Sequence, residues 1–159
     1  SFFPTMRGES LMLDLGANIE CDTNNLVQFA IMGEIFSRLV LGLERPSVGL
    51  LNVGSEEQKG HEELREAAAI LRALEASMDF QGFVEGNDIT AGTVDVVVTD
   101  GFSGNIALKT AEGTSRMFSH YLRKSFKASL FTRLGYLLCR GAIGQLRDRL
   151  DPKLRGRPV

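Results

Sequence analysis

A mostly parallel α/β sheet covered by helices is the fold this chain predicts, and three observations predict it. Residues 11–15, 48–53 and 94–98 are short runs of aliphatic and β-branched side chains, the mark of strands buried on both faces. Helical patterns separate most of the predicted strands, giving βαβαβ followed by βα. Each strand then breaks into a turn of small and polar residues, so those loops leave one edge of the sheet, where open α/β sheets hold their ligands.

Bulk composition fits that reading. The chain has 159 residues, 43% apolar and 24% charged, enough for one domain with its own core. No apolar run reaches the roughly 18 residues of a membrane span, and no basic-then-apolar signal opens the chain. Ser1, Phe2, Phe3 and Pro4 lead straight into a loop and a strand, as in a chain joined mid-protein. Cys21 and Cys139 fit no metal spacing and read as free thiols of an intracellular protein. Charge is uneven. Residues 1–115 hold 7 Lys and Arg against 18 Asp and Glu, whereas residues 116–159 hold 11 against 2. This divides the chain into an acidic α/β core, 1–115, and a basic helical extension, 116–159, whose charge asks for an anionic partner.

The elements follow in order. Residues 11–15 form the first buried strand, with Asp14 at its carboxyl end and Gly16, Ala17 and Asn18 as a tight turn. Asp22, Thr23 and Asn24 are candidate caps for a helix over 26–43. That helix is apolar on more than one face, so it is expected to be buried on several sides, by its own domain or by a second subunit, with Met32 and Phe36 in the core. Arg45 and Pro46 are expected to stop it. Residues 48–53 are the second strand, and residues 54–60 the loop after it. The helix over 61–77 is amphipathic, with Leu64, Ala67, Ala68, Leu71 and Leu74 inward and His61 exposed in its first turn. Residues 82–86 read as the third strand, followed by a turn at Asn87 and Asp88. No helix is expected before the strand at 94–98, so one strand of that pair is expected to be an edge or antiparallel strand.

Residues 94–109 are the centre of the pattern: a strand, a break at Asp100 and Gly101, then a helix. Gly101 and Gly104 permit close backbone approach, and the N–H groups opening the helix are expected to be free for an anion. An ordinary buried strand with a tight turn fits the same residues. The helix continues over 114–127 with a basic edge of Arg116, Arg123, Lys124 and Lys127. Over 129–140, apolar residues at 130, 131, 134, 137 and 138 share one helical face, flanked by Arg133 and Arg140. That composition suits an interfacial helix, or a core helix or subunit contact. Residues 151–159 read as irregular basic chain.

The loops at the predicted ligand edge carry amides, small hydroxyls, acids and one lysine. Without clustered cysteine and histidine they argue against a Cys-His nucleophile and a zinc site. Lys59, flanked by Gly60, can set a positive charge over an oxyanion, and Asn105 can donate to a carbonyl or phosphate oxygen. Such an inventory suits positioning and charge stabilisation rather than covalent catalysis. Lys59 also reads as a solvated surface lysine, Asn105 as a helix cap, and Asp14 and Asp100 as turn or capping residues.

Three stretches, 13–18 (Leu-Asp-Leu-Gly-Ala-Asn), 50–60 (Leu-Leu-Asn-Val-Gly-Ser-Glu-Glu-Gln-Lys-Gly) and 97–105 (Val-Val-Thr-Asp-Gly-Phe-Ser-Gly-Asn), resemble the phosphate acyltransferase (PlsX) family of bacterial phospholipid synthesis, in order and over nearly the whole chain. The resemblance implies transfer of an acyl group from acyl carrier protein to inorganic phosphate; no cofactor and no metal-ligating residues are expected, and whether phosphate needs a metal stays open. It implies a three-layer sheet with helices on both faces, similar to isopropylmalate dehydrogenases and phosphotransacetylases. Within that reaction Lys59 and Asn105 are the catalytic candidates. Asp14, Gly16, Asn18, Asn52, Gly54, Ser55, Asp100, Gly101, Ser103 and Gly104 are the substrate- and phosphate-binding candidates. A homodimer is implied, cytoplasmic and held at the inner face of the membrane through Leu130, Phe131, Leu134, Leu137 and Leu138, with a membrane glycerol-phosphate acyltransferase as a further partner. The family's pattern extends on both sides: an N-terminal portion with its own strand and glycine-rich loop, and a tyrosine- and glycine-rich segment beyond Pro152. Activity is therefore expected of a longer parent rather than assured in these 159 residues.

Two other classes compete. The segment over 116–140 by itself suits a membrane- or partner-binding domain without chemistry. A β-decarboxylating dehydrogenase relative is disfavoured because the loops supply no clustered acidic metal site. Nucleic acid is not expected as a partner, since no aromatic platform interleaves the arginines.

Overall fold

The computed structural model describes residues 1–74 and 77–150; the predicted basic tail over 151–159 lies outside the described residues. The chain runs β1 (Phe2–Thr5), β2 (Gly8–Leu13), α1 (Thr23–Leu41), β3 (Ser47–Leu51), α2 (Glu62–Ala73), β4 (Asp79–Val84), α3 (Gly86–Ala91), β5 (Val96–Val98), α4 (Gly101–Phe126) and α5 (Leu130–Leu150). It forms two compact units, Ser1–Ala107 and the chain from Leu108 onward.

In the first unit one sheet has strand order β1-β2-β5-β3-β4. β2, β5, β3 and β4 run parallel, in register at Leu13↔Val98, Leu50↔Val98 and Leu51↔Val84. Their carboxyl ends therefore share one edge, as the sequence predicts. β5 enters between β2 and β3, although it comes last in the chain. α1 and α2 pack against each other over the sheet, and α3 packs against β1. α1 lies on β2, β5 and β3 and against α2, and α2 covers β4. Alternate strand residues Leu11, Val48, Leu50, Val96 and Val98 pack with Leu26, Ala30, Ala67, Ala68 and Leu71 in the main core. The other strand face is buried too, through Met12, Val84 and Val97, which is why these strands read as continuous apolar runs.

Several elements differ from expectation. Phe2–Thr5 is a strand, paired antiparallel with β2 through Phe2↔Leu11 and Thr5↔Gly8; Gly8, at φ +132°, closes that hairpin in a conformation other residues rarely adopt. The antiparallel edge is thus β1. β4 is the opposite edge, but it is parallel, and the short α3 does separate it from β5. Glu85 and Asp88 cap α3 reciprocally, Glu85 N–H donating to the Asp88 carboxylate at 2.8 Å, so Gly86, Asn87 and Asp88 form a helical turn rather than a loop. β4 begins at Asp79, earlier than predicted; Gly82, at φ +84°, falls where the β3–β4 register shifts.

α1 starts where the caps predict. The Asp22 carboxylate accepts from Asn25 N–H at 2.8 Å, and the Asn25 side chain accepts from Asp22 N–H at 3.1 Å. It ends at Gly42 in the left-handed conformation, φ 70°, before Arg45 and Pro46 are reached. Its sheet-facing stripe is narrow: Leu26, Ala30, Gly33, Glu34 and Ser37. A Cβ on Gly33 would lie 2.5 Å from Val96 Cγ1, so the missing side chain sets how closely helix and sheet approach. The apolar flank beyond that stripe turns away. Met32 is 51% exposed and Phe36 41%, against the expectation of core positions. Phe36 instead meets Phe2, with ring centroids 6.0 Å apart.

In the second unit, Ser129 and Thr132 open α5 reciprocally. Thr132 N–H donates to Ser129 Oγ at 3.1 Å, and Ser129 N–H to Thr132 Oγ1 at 3.0 Å. α5 runs to Leu150, about ten residues past its predicted end; Gly141 and Gly144 lower helix propensity by only about 1 kcal/mol each and do not break it. No helix among the described residues is long and apolar enough to cross a membrane.

Candidate functional site

Two clusters occupy the carboxyl edge of the sheet in the first unit. The first joins the turn after β2 to the start of α4. Asp14 is nearly buried, and its carboxylate collects four donors: Gly16 N–H and Ala17 N–H at 3.1 Å, Asn18 N–H at 2.6 Å and the Asn18 side-chain amide at 3.1 Å. Burial by itself would raise its pKa. The hydrogen bonds from Ala17, Asn18 and Gly16 outweigh that and hold the carboxyl below its ordinary 3.8. With its oxygens so engaged, Asp14 is a framing residue for the turn, as one reading of the sequence had it.

Turn and helix are locked together. Asn18 C=O accepts from Gly101 N–H at 2.8 Å. Asp14 N–H donates to Thr99 C=O at 2.9 Å, beside a cis peptide between Leu13 and Asp14. A Cβ on Gly101 would stand 2.5 Å from Asn18 O, and one on Gly104 would overlap the Asp14 carbonyl. These two glycines thus do permit close approach, but to the chain's own backbone. The Asp100 carboxylate caps α4 by accepting from Ser103 N–H at 2.7 Å. The N–H groups of Gly101 and Ser103 are therefore already engaged, a correction to the expectation that the opening turn is free for an anion. The physical reason is economy of burial: donors enclosed this tightly need partners. Asn105 stands one turn on, its side-chain carbons and amide nitrogen 3.8–3.9 Å from where a Gly16 Cβ would be. Gly16, at φ +129°, leaves the space that brings the carboxamide against this turn.

The second cluster is the loop after β3. Asn52 is buried, donates from its side chain to Lys59 C=O at 2.9 Å and accepts from Val53 N–H at 2.8 Å. Gly60, at φ +90°, lies so close that a Cβ would overlap the Asn52 amide. One amide thereby closes the loop on itself. Lys59 Nζ meets Glu56 Oε1 at 2.8 Å, which raises the lysine pKa and lowers that of Glu56; both side chains are more than half exposed. Gly54 faces the Lys59 side chain, with Nζ 3.0 Å from its would-be Cβ. Ser55 N–H donates to Glu85 Oε1 at 3.2 Å, tying the loop to the end of β4. Arg72 holds Glu57 at 2.8 Å, tying it to α2.

Asp14, Gly16, Asn18, Asp100, Gly101, Ser103, Gly104 and Asn105 thus belong to one cluster, and Asn52, Gly54, Ser55 and Lys59 to the other. Among the described residues no hydrogen bond joins Lys59 to Asn105. The first cluster follows β2 and β5 and the second follows β3, the strand beside β5, so the two share one stretch of the sheet edge. Sequence reasoning missed Glu56 and Glu85, the carboxylates around the lysine; the three-residue spacing of Glu56 and Lys59 was the available signal. Burial pushes the Cys21 thiol pKa up, which lowers its thiolate fraction. No group of three His, Cys, Asp or Glu side chains among the described residues is placed to hold a metal ion.

The molecule is thus an α/β protein with a mostly parallel sheet, and turns framed by the Asp14 carboxylate and the Asn52 amide stand at its carboxyl edge. The chain belongs to the family of fatty acid synthesis proteins, whose pattern it matches over residues 1–159. It is 68% identical over 153 residues to a phosphate acyltransferase of Rhodospirillum centenum, covering 96% of this chain and 43% of that protein. It is 60% identical over 151 residues to that of Paramagnetospirillum magneticum, covering 95% and 43%, and 56% identical over 158 residues to that of Caulobacter vibrioides, covering 99% and 44%. The chain therefore spans under half the length of these relatives.

Proposed function

We propose that the chain is the catalytic-edge portion of an acyltransferase that moves an acyl group from acyl carrier protein to inorganic phosphate. A phosphate oxygen attacks the thioester carbonyl, the carbon–sulfur bond breaks, and the thiolate takes the proton of hydrogen phosphate. Acyl phosphate and free carrier thiol result. Thiolate leaves readily and hydrogen phosphate is already a nucleophile, so neither a strong acid nor a strong base is required. The observation that carries this reading is the placement of Asn105 against Gly16 at the sheet edge that also carries Lys59, in a family whose relatives bear the acyltransferase name. Asn105 donates to the developing oxyanion, where a single donor is worth about 10²–10³ in rate. Lys59, released from Glu56, neutralises phosphate. Asp14, Asn18, Asp100, Gly101, Ser103 and Gly104 hold the first turn rigid, and Asn52, Gly54 and Ser55 shape the second. The parent enzyme works as a homodimer at the cytoplasmic face of the membrane, touching it through the exposed face of α5, and delivers acyl phosphate to a membrane glycerol-phosphate acyltransferase.

Phosphate-dependent release of carrier thiol, followed in the full-length parent and in this chain, tests the reading. Lys59→Ala and Asn105→Ala are each expected to lower the rate about 100-fold or more with unchanged circular dichroism. Full activity in both variants would remove these roles, and release independent of phosphate would replace acyl transfer with hydrolysis.

A further inference from the structure

The loop after β3 pairs its cation with an acid. Lys59 Nζ lies 2.8 Å from Glu56 Oε1. Lys59 N–H donates to Glu56 C=O at 3.1 Å, closing a turn that keeps the two side chains together. Both fold back over Gly54, which is buried beneath them. A Cβ there would stand 2.6 Å from Glu56 Oε2 and 3.0 Å from Lys59 Nζ, so an acceptor and a donor lie side by side. The loop is tied down at three points: the Asn52 amide on Lys59 C=O, Ser55 N–H on Glu85, and Glu57 on Arg72. Glu57 and Glu85 are thereby engaged elsewhere. Glu56 and Lys59 face solvent, each side chain more than half exposed.

We propose that Glu56 and Lys59 together select a protonated oxyanion: an unprotonated phosphate oxygen takes Lys59 Nζ, while the phosphate O–H donates to the Glu56 carboxylate. Phosphate binding at Lys59, proposed above, is the premise; what Glu56 adds is discrimination among anions of the same shape. A carboxylate beside the cation works against any anion that brings no hydrogen of its own. An ammonium has three hydrogens, so Lys59 keeps two for a ligand while Glu56 accepts one. Hydrogen phosphate carries an O–H at neutral pH. Sulfate, alike in shape and charge, carries none, and phosphodiesters lack one too. Sulfate on the lysine would set an oxygen against the Glu56 lone pairs, a repulsion of the kind that gives specificity by penalising the wrong partner. The hydrogen bond between the pair raises the lysine pKa and lowers that of Glu56, so the acid remains an ionised acceptor at neutral pH.

Release of carrier thiol by the full-length parent at neutral pH, with ionic strength held constant by sodium chloride, tests this. Release is expected to run on phosphate and on arsenate, which is tetrahedral, dianionic and protonated as phosphate is. Sulfate is expected to inhibit with a KI about 100-fold above the phosphate KM. Glu56→Gln turns an N–H toward the anion, and Glu56→Ala removes the acceptor. Each is expected to lower the ratio of sulfate KI to phosphate KM about tenfold, with unchanged circular dichroism. Sulfate inhibition at the phosphate KM in the unaltered enzyme overturns the proposal. So does a ratio unchanged in both variants, including a KI and KM that move by the same factor, as a merely structural role of Glu56 would give. In those cases phosphate-dependent release persists and acyl transfer stands. Release that needs no phosphate overturns both.

Discussion

Asp14 illustrates how a side chain placed to bind substrate can also frame a turn. An acid at a strand's carboxyl end invites a chemical role, yet four donors converge on its two oxygens. Its pKa is depressed in the fold, so its stabilising contribution is complete above the ordinary 3.8 and is lost as pH falls through the lower folded value. Asp14→Asn is therefore expected to lower the melting temperature at neutral pH, with the gap to the unaltered protein narrowing below about pH 4. Thermal unfolding at pH 7 and pH 3 checks this; a gap independent of pH would deny the carboxylate its framing role. Position and residue type at 14 were legible in the sequence, but not the donors, because they arise from the path of Gly16–Asn18 in space. Gly104 is similar. The sequence marks it as a place of close approach, and only the fold shows that the Asp14 carbonyl is what approaches.

At the scale of elements, caps and periodicity predicted most of the helices. Asp22 as a cap and the inward set of α2 followed from local rules, whereas Asn25 as the partner of that cap did not. β1 was missed because four residues carry too little periodicity to declare a strand, and its partner makes it one. For α1 the sheet receives only one stripe of an apolar helix, and the flank beyond that stripe is exposed in the single chain. α5 combines both cases. Its face of Leu130, Phe131, Leu134, Leu137 and Leu138 is 59–89% exposed, on a helix whose length exceeds the predicted one. An exposed apolar stripe beside arginines suits a lipid surface. Leu134→Glu is expected to reduce co-sedimentation with anionic liposomes several-fold while leaving the helix intact; unchanged binding would assign the face to a protein contact.

For the whole molecule the governing feature is charge division, with net −11 over residues 1–115 and +9 over 116–159. If the anionic partner is acyl carrier protein, the reaction rate at limiting carrier should fall as ionic strength rises from about 0.01 to about 0.1 M, where the screening length shortens from about 30 to about 10 Å. Lys124→Glu, on the exposed basic edge of α4, should flatten that dependence and slow the reaction at low salt. A rate indifferent to both would leave the basic segment to another partner.

Sequence alone determined the α/β class, the parallel strands and the carboxyl edge that their loops share. These depend on periodicity and on turn chemistry, which act over a few residues. Tertiary structure decided the insertion of β5 between β2 and β3, the pairing of β1, the occupation of the first N–H groups of α4 and the pairing of Lys59 with Glu56. Strand order and donor satisfaction depend on contacts between segments distant in the chain, and no local pattern carries that information.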